Sequence, residues 1–141
     1  KNYFLLGSDS GFAERKNYFL EHGNYKINDY ISAIDNKLIN EDYYVWWGYE
    51  DKKLFKFAKE KILDAYQTGE PFNFTLLTVD THFTDGYMDS SCEDVFDIKY
   101  ANTIYCSDQN FQIQVSCFTP SSLTLIPDKM PWFPSFLHIV L

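Results

Sequence analysis

The stretch Phe72-Asn-Phe-Thr-Leu-Leu-Thr-Val-Asp-Thr-His-Phe-Thr-Asp-Gly-Tyr87 decides how the chain is read. Its first half, Phe72 to Val79, is nearly all apolar or β-branched, the composition of a strand covered on both faces. It turns polar at Asp80, Thr81 and His82 and leaves through Asp85-Gly86, a turn pair. Open α/β sheets bind ligands just beyond the carboxyl ends of their strands. His82 stands at such a place, which makes it the first candidate for a site.

Outward from this strand the pattern alternates. Asp51 to Tyr66 is the clearest helix, with Leu54, Phe55, Ala58, Ile62, Ala65 and Tyr66 on one face and Lys52, Lys53, Lys56, Lys59, Glu60 and Asp64 opposite. Glu50 and Asp51 open it, where the helix dipole favours negative charge. Asn2 to Gly7 reads as a short apolar strand, followed by the polar loop Ser8-Asp9-Ser10-Gly11. Phe12 to His22 reads as a helix stopped by Gly23, with Phe12, Phe19 and Leu20 expected in the core. Tyr25 to Ile31 alternates as a half-exposed strand would, and Ala33 to Asp42 is irregular. A last helix is expected over Ile98 to about Val115. The sum is an α/β fold with a mainly parallel sheet and flanking helices. From Phe118 the character changes: Pro120, Pro127, Pro131 and Pro134 exclude a regular helix or a central strand.

Bulk properties narrow the function. The 141 residues suit one domain or a piece of a larger one, and a 45% hydrophobic fraction supports a core. The chain begins without Met on a strand-like segment, as a piece of something longer would. A net charge of −8 argues against nucleic-acid binding, which calls for a basic face. No apolar run is long enough to span a bilayer. Three cysteines, Cys92, Cys106 and Cys117, form no CxxC and no zinc spacing. Cys92 and Cys106 can pair in an oxidising compartment, and the sequence leaves that open.

Each candidate has a plain reading beside the functional one. His82 is either a strand-end imidazole bonded to nearby backbone or a donor to a bound oxyanion. Arg15 is either a solvated helix arginine among Glu14, Lys16 and Glu21 or a planar fork reaching a phosphate. Its place, early in a helix after a Gly/Ser/Asp loop, suits an anion. Trp46-Trp47 reads foremost as packing. Asp9, Asp80 and Asp85 read as turn residues or caps, since no spacing marks a metal site. His22 fits a helix end. The Asn73-Phe-Thr75 sequon falls in a strand expected to be buried and is set aside. No Gly-x-Ser-x-Gly, P-loop or Asp-His dipeptide occurs.

Taken together, these segments resemble the lipoteichoic acid synthase and phosphoglycerol transferase family, in the sulfatase branch of the alkaline phosphatase superfamily. The resemblance runs through Phe4-Leu-Leu-Gly-Ser-Asp-Ser-Gly-Phe-Ala-Glu-Arg15, Tyr18-Phe19, His22-Gly-Asn-Tyr25 and Trp46-Trp-Gly-Tyr-Glu-Asp51. It continues through Phe74 to Phe83, Asp85-Gly-Tyr87, Tyr100-Ala-Asn102 and Cys106-Ser107. It implies an incomplete sulfatase-like domain over residues 1–117, with 118–141 an atypical, Pro-rich and frame-shifted or unrelated tail.

What the resemblance implies about function follows the same residues. Arg15 matches a family arginine on the phosphoglycerol head group of a lipid donor, and His82 a family histidine beside the substrate phosphate. Where some members carry Trp, this chain has Ala13. The family works at the extracytoplasmic face of the bacterial cell membrane with a threonine nucleophile. It also uses a divalent metal, manganese, magnesium or zinc. The resemblance puts the nucleophile, the first metal ligand and the membrane anchor upstream of residue 1, and an Asp-His metal pair on a strand after the last helix. The expectation is a chain with substrate-binding Arg15 and His82, no catalytic residue, no metal ligand and no turnover by itself. A non-catalytic phosphate-binding or interaction module of α/β fold is the alternative.

Overall fold

The computed structural model describes the backbone of residues 1–116 and 136–140, and the side chains of residues 1–112. Among the described residues four strands form one sheet in the order β2-β1-β3-β4: β1 is Asn2–Leu6, β2 Lys26–Asn28, β3 Asn73–Leu77 and β4 Phe136–Val140. All pairings are parallel. Leu5 is opposite Asn28 on one side and Leu76 on the other, and Leu77 is opposite Val140. All strands therefore end at one rim, and the loops that leave β1 and β3 meet there.

The expected buried strand is β3, with Phe74, Thr75 and Leu76 buried between its half-buried ends. On one face of the sheet Leu5, Phe74 and Leu76 meet Leu54, Phe55 and Ala58 of helix α3, Asp51–Gln67. Helix α4, Lys99–Ser116, packs beside α3 and brings Phe111 against the same cluster. On the other face, Phe19 stacks on the buried Phe4 at 3.8 Å between ring centroids. Such burial is worth roughly 25 cal/mol per Å² of apolar surface.

Several expectations are corrected. The Phe12–His22 segment is not one helix: a 3₁₀ turn at Phe12–Glu14 precedes helix α1, Arg15–Glu21. Ala13 and Glu14 take left-handed backbone angles, φ 54° and 58°, which breaks the regular spiral. Phe12 and Leu20 are exposed, since the kink turns the one toward the rim and the other to solvent. The left-handed residue after α1 is Asn24, φ 48°, in place of Gly23. The Tyr25–Ile31 strand stops at Asn28, because Asp29 and Ser32 form a reciprocal capping box that starts helix α2, Tyr30–Asp35. That helix also replaces the first part of the irregular Ala33–Asp42 segment. Phe57, outside the expected core face of α3, is buried.

The proline-rich stretch was expected to carry no central strand; β4 starts two residues beyond Pro134 and stands at the edge of the described sheet. The expected poor packing of Trp132, Phe133 and Phe136 concerns side chains outside those described. No helix among the described residues is long and apolar enough to cross a membrane.

Candidate functional site

Three loops build the rim. The first leaves β1 through Gly7 and Ser8. Ser10 donates its hydroxyl to Asp29 at 2.5 Å and its backbone N–H to the same carboxylate at 3.2 Å. Asp29 also accepts the Ser32 N–H at 2.9 Å, so one carboxylate ties this loop to the cap of α2. Burial opposes its charge, but the bonds from Ser10 and Ser32 outweigh that and hold its pKa below the ordinary carboxylate value. Asp9 turns inward on its own loop and accepts the Gly11 N–H at 2.7 Å. The loop delivers Arg15 as the first residue of α1.

The second loop is the tight turn Val45–Gly48, closed by Val45 N–H to Gly48 O at 2.6 Å and Gly48 N–H to Val45 O at 3.1 Å. Gly48 lies at φ 151°, and a Cβ there would stand 2.0 Å from the carbonyl oxygen of Gly7. Only glycine lets this turn press against the end of β1. The contact fixes Tyr49, whose N–H reaches Gly7 O at 2.9 Å, and it sets Trp47 on the rim.

The third loop leaves β3 and carries His82. Asp51, the first residue of α3, is completely buried. Its carboxylate accepts the N–H groups of Val79 and Asp80 at 2.8 and 3.1 Å. Asp80 accepts the Asp51 N–H in return, at 3.1 Å. The start of α3 and the end of β3 are thus clasped by two carboxylates. The second oxygen of Asp80 is buried with no partner among the described residues. Burial, then the charge of Asp51, push the Asp80 carboxyl up to about 8. Burial also raises Asp51. The pair therefore keeps a proton well above the usual carboxylate range. Asp80 is a buried fastening, not the exposed turn residue its loop position suggests.

Beyond the clasp, the His82 N–H bonds Val79 O at 2.9 Å and its ring Nδ1 lies 2.9 Å from Phe83 O. A carbonyl only accepts, so Nδ1 carries the proton and Nε2 is left for a ligand. His82 is exposed and its ring sits 4.7 Å from that of Trp47. Trp47 is 5.8 Å from Phe12, and the Arg15 guanidinium lies 5.1 Å over the Phe12 ring. Arg15 makes no ion pair among the described residues. Guanidinium, two aromatic rings and imidazole form one row along a cavity of about 380 Å³. Its floor is the end of β3, Leu77 to Val79, and Ser8 and Asp9 close one side.

Arg15 and His82 are thus brought to one cavity from loops after two adjacent parallel strands. Trp47, read foremost as packing, stands between them. Asp85 remains a turn residue at φ 64°. His22 bonds the Tyr18 carbonyl from Nδ1 at the end of α1, a structural place. Among the described residues no three of His, Cys, Asp and Glu gather as a metal donor set. The residue missed is Asp51, because its partners are 28 and 29 positions away; the Trp46-Trp47 pair is visible in the sequence, but not its place at the cavity.

Comparison with known proteins gives the same direction. No family model matches the chain. It is 28% identical over 115 residues to a phosphoglycerol transferase I of Xanthomonas campestris pv. campestris, covering 77% of this chain and 16% of that protein. It is 28% identical over 148 aligned positions to the phosphoglycerol transferase I of Escherichia coli O157:H7, covering 99% of this chain and 18% of the relative. The chain therefore spans under a fifth of the length of these curated relatives. Its fold matches the crystal structure of the lipoteichoic acid synthase LtaP from Listeria monocytogenes. The TM-score is 0.67 at 17% identity, over 87% of this chain and 31% of that one. By sequence the chain is similar to part of the phosphoglycerol transferases I, and by fold it is similar to part of a lipoteichoic acid synthase of α/β architecture.

Proposed function

We propose that the chain binds the phosphoglycerol head group of a lipid donor, as the substrate-phosphate part of a phosphoglycerol transferase site. The observation that carries this is the sharing of one cavity by Arg15 and His82, from separate loops, with the guanidinium free of any ion pair among the described residues. The guanidinium fork suits two phosphate oxygens; with Nδ1–H given to Phe83 O, Nε2 of His82 donates to a phosphate oxygen when the ring carries both protons and accepts from a glycerol hydroxyl when it does not. Phe12 and Trp47 flank the cavity with apolar surface that suits the glycerol carbons and lowers the local dielectric around the phosphate.

In the complete family domain a divalent metal, manganese, magnesium or zinc, supplies charge stabilisation during transfer. The described residues offer no donor set that fits it, so no step here is routed through a metal. The reading is binding without turnover by this chain. It places the chain at the extracytoplasmic face of a bacterial membrane, and the Cys92–Cys106 disulfide supports an oxidising compartment.

The test is calorimetric titration with glycerol phosphate together with an assay for its release from a phosphoglycerol lipid, with and without manganese. Binding without release is expected. Manganese-dependent release would overturn the claim of no turnover. Equal affinity for glycerol phosphate and inorganic phosphate would favour the second reading, a general phosphate-binding module.

A further inference from the structure

We infer that Tyr100 is a positioning residue for His82, acting through the peptide that precedes it; this rests on the proposed phosphate-binding role of His82. The loop from Thr81 to Phe96 is held from one side by the first turns of α4. The Tyr100 hydroxyl donates to Thr81 O at 2.8 Å. Thr103 donates to Asp85 O at 2.9 Å. Asn102 accepts the N–H groups of Val95 and Phe96 at 2.9 and 2.7 Å and donates to Phe96 O at 2.8 Å. Cys106 is bonded to Cys92.

These fastenings differ in what they set. Asn102, Thr103 and the disulfide hold parts of the loop remote from the imidazole. The carbonyl that Tyr100 holds belongs to the Thr81–His82 peptide. The plane of that peptide aims the His82 Cα–Cβ bond. On its other side the same peptide is limited by the His82 N–H bond to Val79 O and by the clasp of Asp51 on Val79 and Asp80. Tyr100 closes the frame. His82 is exposed, so its ring direction rests on the Nδ1 contact with Phe83 O, on the Trp47 ring and on the Thr81–His82 peptide plane that Tyr100 holds.

Tyr100→Phe removes the hydroxyl and keeps the ring, and Thr103→Val removes a loop bond that does not reach the His82 peptide. Both chains are titrated with glycerol phosphate while the ¹⁵N shifts of the His82 ring report its tautomer. In Tyr100→Phe the Nδ1-protonated share of His82 should fall and affinity should weaken roughly three- to tenfold, the loss of one ordinary hydrogen bond. In Thr103→Val the thermal midpoint should drop while the His82 tautomer and the affinity stay within twofold of the parent chain. A folded Tyr100→Phe chain with unchanged tautomer and affinity overturns the inference. So does failure of Tyr100→Phe to fold, which would make the residue a fold determinant. If the parent chain binds no glycerol phosphate but Tyr100→Phe still shifts the tautomer, the binding role of His82 fails and the positioning stands.

Discussion

At the scale of single residues, Arg15 is the test of the anion reading. Its guanidinium reaches the rim over Phe12 and meets no carboxylate partner among the described residues. Hydrogen bonds to a charged group are worth about 1.5–3 kcal/mol, so Arg15→Ala should weaken glycerol phosphate binding by roughly ten- to a hundredfold or more. Arg15→Lys keeps the charge without the fork and should fall between, as calorimetry on the three chains would read.

The Asp51–Asp80 pair gives a pH prediction with a definite sign. The Asp80 carboxyl titrates near 3.8 when free and about 8 in the fold. Between those values the folded chain binds more protons than the unfolded one, so the contribution of Asp80 to stability falls as pH rises. Asp89 acts oppositely and lower. Burial opposes its charge, but bonds from Ser91 and Lys52 outweigh that and hold it at about 2. Its contribution is lost as pH falls from about 4 toward 2. Denaturant midpoints should therefore peak in the weakly acidic range and decline toward pH 8. Asp80→Asn should flatten that decline; a midpoint in the parent chain that rises from pH 5 to pH 8 would contradict the shared proton.

At the scale of elements, the cap of α2 and the α4 fastening make separable predictions. Asp29→Ala removes the cap of α2 and leaves Ser10 without its acceptor, so a loss of about 1–2 kcal/mol is expected in urea unfolding. Reducing the Cys92–Cys106 bond releases a loop of 14-residue separation, worth about 3 kcal/mol in the chain-entropy picture. The thermal midpoint should drop on reduction, with amide exchange accelerating first over residues 83–98.

These same elements show what the sequence could reveal. β3, α3 and α4 were legible because their signals are local: an apolar run, a helical stripe, a stop at Gly and Pro. The capping box of Asp29 and Ser32 is also local, but the period-two pattern of Tyr25, Ile27 and Ile31 masks it. The left-handed pair Ala13–Glu14 was not legible, since neither residue type favours that conformation. Asp51 read as a dipole partner of its own helix, which is the local half of its role. Its bonds to the end of β3 needed the fold.

At the scale of the molecule, all described strands run parallel and end at one rim, and that single fact turns two separate candidates into one site. Arg15 and His82 lie 67 positions apart in sequence. They line one cavity because β1 and β3 are neighbours in register, Leu6 opposite Leu77. β4 lies beside β3 and ends at the same rim.

The most direct measurement is a glycerol phosphate titration followed by NMR at the Arg15 side-chain Nε–H and the His82 ring together. The account predicts that both signals move with one dissociation constant and that the His82 response disappears in Arg15→Ala. Movement of only one group, or a His82 response that survives intact in Arg15→Ala, would contradict a shared site.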